Sequence, residues 1–225
     1  MENIWYNNNH DWSIINNNMS GKFIIFEGGE GSGKTIQIKT LAKKLQKKGK
    51  KVIITREPGS TVIAEKIRQV ILYENQEKLE PKAELFLFLA SRAQHVNQKI
   101  IPALKKGCII ICDRFSASTL AYQVGARNLP NEKLIKQMDL YARDNIQPDI
   151  VLYLDVNPKI GLQRKIKSLR KLTRLDKEKI LFHQRVRQYF RKMAKKEKNW
   201  YLINANESLK ENEKDIYEII NKKIR

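Results

Sequence analysis

The sequence predicts an α/β protein of three layers, a five-stranded parallel sheet with helices on both faces. Three observations lead there. Short apolar, β-branched runs alternate with longer helical stretches, the order that builds parallel βαβ units. The longest apolar runs, Phe23 to Phe26, Cys108 to Cys112 and Ile150 to Leu154, are strand-sized, far below the roughly 18 residues a membrane span needs. A glycine-rich loop, Gly28 to Thr35, separates the first run from the first helical stretch.

Each element follows in order. Lys22 to Phe26 reads as the first strand, and Lys34 to Lys48 as a helix stopped at Gly49, since glycine accepts the left-handed conformation that ends helices. Val52 to Thr55 is the second strand. Helices follow from about Thr61 to Tyr73 and from about Pro81 to Lys105. Pro102 is expected to kink or end the latter, because it lacks the N–H a helix uses. Cys108 to Cys112, set between Gly107 and Asp113, is the third strand; two helices then precede Pro148, and Ile150 to Leu154 is the fourth strand. Pro158 to about Glu197 reads as a basic helical segment, Trp200 to Ile203 as the fifth strand and Leu209 to Ile224 as a closing helix. No internal repeat and no Gly/Ser-rich linker interrupts the pattern, so residues 21–225 are expected to form one domain. Residues 1–20 are Asn-rich, aperiodic and nearly uncharged; they read as a loosely ordered extension rather than a secretory or transit signal.

Composition narrows the function. Of 225 residues, 41% are hydrophobic, enough for a core and too many for wholesale disorder. There are 44 Lys plus Arg against 24 Asp plus Glu, a net charge of +20, which points to a polyanionic partner. The excess is concentrated. Lys34 to Lys51 holds eight lysines and no acid, and Lys159 to Lys198 holds sixteen basic residues against three acidic ones. On charge alone a duplex-binding stripe and a site for small polyphosphates both stay open. Cys108 and Cys112 are four apart in one strand, about 13 Å at 3.3 Å per residue. They are therefore too distant to pair and read as small buried hydrophobes of a reducing compartment.

The motifs choose between those partners. Gly28-Gly29-Glu30-Gly31-Ser32-Gly33-Lys34-Thr35 matches G-x-x-x-x-G-K-[ST] between a strand and a helix, the setting the phosphate loop requires. Its glycines let backbone N–H groups and the helix N-terminus face phosphate oxygens. Lys34 would reach the β- and γ-phosphates and the Thr35 hydroxyl would ligand Mg²⁺. The fold class is thus that of a P-loop NTPase. The third strand runs into Asp113, an acidic residue placed to help hold the metal, and the next residue is Arg114. An arginine cannot activate water as a base but can hold an anionic acceptor, so transfer is favoured over hydrolysis. Arg56, at the end of the second strand, would converge with Asp113 and the phosphate loop at the carboxyl ends of the sheet; taken alone, a surface ion pair would be its commoner role, and its position turns the balance toward a ligand contact. Phe88 and Arg92, four apart, share one helical face and suit a nucleobase platform with a hydrogen-bonding partner. On pattern alone Phe88 and Tyr122 fit core packing as well.

Taken together, FEGGEGSGKT, TREPGS, ELFLFLASRAQHV, DRFSASTLAYQ and DIVLYLDV resemble, in that order, the motifs of thymidylate kinases, which phosphorylate dTMP with ATP and Mg²⁺. The resemblance runs from about Gly21 to the C-terminus. It implies that Glu30 contacts the dTMP 3′-hydroxyl and that Arg56 and Arg114 bind its phosphate. Pro58 would shape the pocket through a cis Glu57–Pro58 peptide, Phe88 would stack on thymine and Arg92 would bond the base edge. Thr119 and Gln123 would border the base, Tyr122 would crowd the ribose 2′ position, and Asp113 would help hold Mg²⁺. It further implies a lid over about residues 164–176, with Arg164, Lys165, Lys167, Arg170, Lys171 and Arg174, of which Arg164 and Arg174 join Lys34 and Arg114 as catalytic cations. A cytoplasmic homodimer is the family's expected setting, with no nucleic-acid or membrane partner. Two departures are visible: Thr173 precedes Arg174 where the family commonly has Asp, and Ser60 stands where it commonly has a second Gly. The acceptor phosphate is already ionised near neutral pH, so catalysis reduces to alignment and charge neutralisation, without a general base.

Overall fold

The computed structural model describes residues 19–73, 77–168 and 172–224. Five parallel strands form one sheet, β1 (Lys22–Gly28), β2 (Val52–Arg56), β3 (Ile109–Asp113), β4 (Ile150–Asp155) and β5 (Trp200–Asn204), in the order β2-β3-β1-β4-β5. β1 lies at the centre, with Phe26 beside Asp113 of β3 and Gly28 beside Leu154 of β4. The chain leaves β1 toward one edge and β3 toward the other. The crevice between their carboxyl ends is therefore the topological switch point where such sheets bind ligands.

The strands alternate their side chains between two cores, as a period of two requires. Ile24, Phe26, Ile109 and Ile111 face helices α1 (Lys34–Lys47) and α9 (Leu209–Lys223), with Leu41, Leu45, Ile216 and Ile220. Phe23, Ile25, Ile110 and Cys112 face the opposite layer with Val96, Ile100 and Leu104. The central strands β1 and β4 are buried almost throughout, whereas β2 and β5 are partly exposed at the edges. Both cysteines are buried and free.

Helix α1 stops at Gly49 (φ 76), with the Gly49 N–H bonded to the Gln46 carbonyl. Helix α2 (Val62–Leu72) is capped by the Thr61 hydroxyl, which accepts from the Ala64 N–H. Helix α3 (Pro81–His95) continues through a π-helical turn (Val96–Ile100) into α4 (Ile101–Lys105). Pro102 does not end this rod. It falls where i→i+5 bonding reverts to i→i+4, so the wide turn absorbs its missing N–H. Helix α5 (Ser116–Thr119) runs into a second π-helical stretch (Leu120–Ala126), followed by α6 (Glu132–Ala142). Helix α9 opens on a capping box between Ser208 and Glu211.

The basic segment is not one helix. It divides into α7 (Pro158–Lys167) and α8 (Ile180–Lys196). Between them the Thr173 N–H and hydroxyl both donate to Asp176 Oδ2, at 2.7 and 2.8 Å. Such local side-chain bonding competes with helix formation, and Leu175 anchors the turn in the core. Arg170 and Lys171, within the expected lid, and residues 1–18 of the expected extension lie outside the described residues.

Candidate active site

The phosphate loop takes its shape from its glycines. Gly28, Gly31 and Gly33 have φ of 148°, 65° and 89°, conformations that side-chain-bearing residues rarely adopt. Gly31 also has no room for a side chain: a Cβ there would lie 1.9 Å from the carbonyl oxygen of Gly161 in α7. A Cβ on Gly161 would in turn lie 2.2 Å from the Glu30 carbonyl oxygen. This glycine pair seats α7 directly on the phosphate loop.

Lys34, the first residue of α1, folds back so that Nζ donates to the carbonyls of Gly28 and Gly29 at 2.9 Å each and to Ser32 Oγ at 3.3 Å. Burial, helped by Arg114, lowers its pKa to about 8, against the pull of Asp113, Glu30 and Glu27. A bound polyphosphate favours the protonated amine. ATP affinity is therefore expected to be level below pH 8 and to weaken by up to about tenfold per pH unit above it. Calorimetric titration with a non-hydrolysable ATP analogue from pH 7 to 9.5 checks this, and a dissociation constant that stays level across the range rejects it.

A cavity of about 910 Å³ opens over the crevice, lined by Glu30 to Thr35 of the loop. That lies toward the upper end of the roughly 300–1,000 Å³ range of small-molecule sites. On one side lie Arg56, Pro58, Phe88, Asp113, Arg114, Thr119 and Tyr122, and on the other Arg164, Lys165, Ala205, Leu209 and Asn212. The spread of charged donors around the loop matches a site for two anionic ligands.

Glu30 is the hub. Its Oε1 accepts from Arg114 Nη2 at 2.6 Å and from the Tyr122 hydroxyl at 3.2 Å, and Oε2 meets Lys165 Nζ at 3.3 Å. Burial opposes its charge, but Arg114, Lys34 and Lys165 together outweigh burial and hold this carboxyl well below the usual carboxylate range. Arg114 has a left-handed backbone (φ 70), and its guanidinium lies over the Tyr122 ring, 5.3 Å from the centroid. Burial opposes its charge as well, yet Tyr122, Glu30 and Asp113 raise its pKa. Burial pushes the Tyr122 phenol upward, with Glu30 adding to it and Arg114 opposing.

Arg56 reaches Glu65 at 2.7 Å and stays half exposed. Ser60 keeps this turn in place despite its positive φ of 74: its hydroxyl bonds the Arg56 backbone at both N–H and carbonyl, and its own N–H reaches Glu65. The Glu57–Pro58 peptide is cis. Asp113 lines the cavity, and its buried Oδ1 has no hydrogen-bond partner among the described residues. Thr35 opens onto the same space. Among the described residues no group of three or more His, Cys, Asp or Glu could hold a metal by itself. One orphaned carboxylate oxygen plus one hydroxyl beside a phosphate cradle suits Mg²⁺, which keeps waters and substrate phosphates in its coordination shell.

Three residues of the sequence reading stand elsewhere. Arg92 is fully buried behind the cavity wall, donating to Glu57 Oε2 at 2.8 Å and to Thr119 Oγ1 at 2.9 Å, and paired with Asp139 at 2.5 Å. Gln123 is buried too, its Nε2 donating to Glu84 at 2.8 Å. Arg174 is held away from the cavity: it donates to the Ile71 carbonyl and pairs with Glu84, while its own N–H bonds the Leu72 carbonyl. Arg164 does reach the cavity and donates to the Ala205 carbonyl at 2.8 Å. Gly28 and Gly29 act through the carbonyls that hold Lys34.

Other participants carried no sequence signal of their own. Arg68 lines the cavity and donates to the Pro58 carbonyl at 2.7 Å, but it lies mid-helix among ordinary polar residues. His95 continues the network behind the wall, bonded to Glu57 at 2.9 Å and to Thr55 at 2.6 Å.

Several cations of the basic segment meet carboxylates. Lys165 pairs with Glu30 and Asp176, Arg174 with Glu84, and Arg187 with Asp155 at 2.7 Å. No helix among the described residues is long and apolar enough to cross a membrane.

Comparison with known proteins agrees with this geometry. The thymidylate kinase family model matches residues 26–216. The chain is 43% identical over 203 residues to the thymidylate kinase of Thermosipho africanus (strain TCF52B), covering 90% of this chain and 99% of that one. It is 46% identical over 196 residues to that of Protochlamydia amoebophila (strain UWE25), covering 84% and 87%. With that of Bacillus mycoides (strain KBAB4) the identity is 38% over 208 residues, covering 92% and 100%. A match of this extent, over a sheet and phosphate loop of the required form, places the chain in the thymidylate kinase family.

Proposed function

We propose that this chain transfers the γ-phosphoryl group of ATP to dTMP, giving dTDP and ADP, across the crevice between β1 and β3. The observation that carries this reading is Arg114. It follows Asp113 directly, contacts Glu30 of the phosphate loop at 2.6 Å, and occupies the place where a hydrolase would keep a water-activating acid.

ATP lies along Gly28 to Thr35, with Lys34 swinging from the loop carbonyls onto the β- and γ-phosphates. Arg164 and Lys165, carried by α7 on the glycine contact with the loop, supply the lid cations. Arg174 joins them only if the Thr173–Asp176 turn releases Glu84. dTMP lies on the other side: its phosphate between Arg56 and Arg114, thymine on Phe88 near Thr119, the 3′-hydroxyl on Glu30, and the 2′ position against Tyr122. Arg92 and Gln123 support the base wall. Thr35 and Asp113 are the residues that would hold Mg²⁺, which when bound neutralises charge on the transferring phosphoryl group. Arg114 aligns the acceptor oxygen, and closure of α7 excludes water, favouring transfer over hydrolysis.

The family's homodimer is assigned to the packed pair α2 and α3, which leaves Val62 and Phe86 exposed at 78% and 57%. Light scattering reads the mass directly. The two free buried cysteines suit the reducing cytosol, where the reaction would feed dTTP supply. Coupled ADP release across nucleoside monophosphates tests the function. dTMP is expected to turn over at least about 100-fold faster than UMP, because UMP lacks the thymine methyl and brings its 2′-hydroxyl against Tyr122. Equal or faster turnover of UMP sinks the assignment.

A further inference from the structure

Glu27, one residue before the phosphate loop, is wholly buried, and no step above uses it. Its carboxylate faces the turn after β3. Oε1 accepts from the N–H groups of Phe115 at 2.9 Å and Ser118 at 3.2 Å, and Oε2 accepts from the Ser118 hydroxyl at 2.6 Å. These N–H groups lie at the entry to α5, where the Ser118 N–H is shared between Glu27 and the Phe115 carbonyl at 3.0 Å. The adjacent carbonyl of Phe26 accepts from the Arg114 N–H at 2.9 Å. Arg114 is thereby gripped on both sides by two consecutive residues of β1, at its own N–H and at the next one along the chain.

That grip matters because the Arg114 backbone is left-handed (φ 70), a conformation a side-chain-bearing residue keeps only when its surroundings impose it. The link extends to the side chain, since Arg114 Nη1 donates to the same Ser118 hydroxyl at 3.3 Å. Burial raises the pKa of the Glu27 carboxyl, and the neighbouring Arg114 and Lys34 cations oppose that rise.

We propose that Glu27 is a positioning residue for phosphoryl transfer: through Phe115 and Ser118 it fixes the turn that aims the Arg114 guanidinium at the acceptor phosphate. This rests on the dTMP kinase reading above. Misplacing a charged contact by about 1 Å is enough to cost about 100-fold in rate, so the effect belongs to the acceptor side of the reaction.

The test uses the full chain with Glu27→Ala, Glu27→Asp and Glu27→Gln, steady-state kinetics in dTMP, and calorimetric binding of ADP. For Glu27→Ala the expected result is a kcat about 100-fold lower and a KM for dTMP about tenfold higher, with ADP binding within about threefold of wild type. Glu27→Gln is expected to recover at least about tenfold of the lost kcat, because its amide oxygen still accepts from the two N–H groups. If Glu27→Ala fails to fold, Glu27→Asp decides. Its carboxylate falls short by one methylene and should reproduce the loss on the dTMP side alone. Wild-type-like kinetics in the folded variant, or a loss shared equally by ADP and dTMP, overturns the proposal. Absence of dTMP-dependent turnover in the unaltered chain overturns instead the reaction on which it rests.

Discussion

Replacing Arg114 by alanine is expected to lower kcat for dTMP by about 10³-fold while leaving ATP affinity within about threefold. The figure follows from charge. A guanidinium about 4 Å from a developing anionic centre contributes about 4 kcal/mol at the effective dielectric of a partly exposed site, and each 1.36 kcal/mol is about tenfold in rate. ATP binding survives because the loop that holds it, from Gly28 to Thr35, takes its conformation from its glycines and from Lys34. Glu30 keeps Lys165 as a partner at 3.3 Å, so its charge is not stranded. Arg114→Lys should restore only part of the rate, since an ammonium cannot span two acceptors as a planar fork does. Steady-state kinetics with a separate ATP-analogue titration measures both effects. Wild-type turnover in Arg114→Ala would falsify the acceptor role.

Arg92→Ala is expected to act on stability before it acts on the reaction. The Arg92 side chain is 2% exposed, and its partners Glu57 and Asp139 are 4% and 3% exposed. Two carboxylates converge on one guanidinium, with His95 on the far side of Glu57 and Arg143 on the far side of Asp139. Removing the shared cation leaves both acids buried and under-compensated, which costs about 3–5 kcal/mol. For a chain of this length that corresponds to a fall in Tm of about 10 °C. Neutralising the acids as well, in Arg92→Met/Glu57→Gln/Asp139→Asn, should return much of the loss, because the cost lies in stranded charge more than in lost contact. Differential scanning calorimetry compares the three proteins; an Arg92→Ala melt within about 2 °C of wild type is incompatible with this account. KM for dTMP should also rise, since Arg92 holds the Thr119 hydroxyl at the cavity wall.

The five strands, the phosphate loop and the ends of α1, α2 and α9 could be read before folding because each depends on neighbouring residues. Gly49 ends α1 through its own backbone, and Gly28, Gly31 and Gly33 shape the loop within six positions of one another. The break within the basic helical segment carried no mark in the sequence, because the Thr173–Asp176 turn spends few residues and leaves the surrounding composition helical. At Pro102, where a kink or an end is expected, the π-helical turn just before it has no sequence mark.

The sequence by itself marked the candidates for chemistry: a loop of phosphate-binding form, an arginine after the aspartate that ends β3, an aromatic and a cation on one helical face. Only the tertiary structure decided which charges meet. Glu30 finds Arg114 84 positions away and Lys165 135 positions away, whereas Arg174 is drawn off by Glu84 and Arg92 by Glu57 and Asp139. A buried charge must be matched wherever the fold places its opposite. That pairing is set by packing across the sheet, and no local spacing records it.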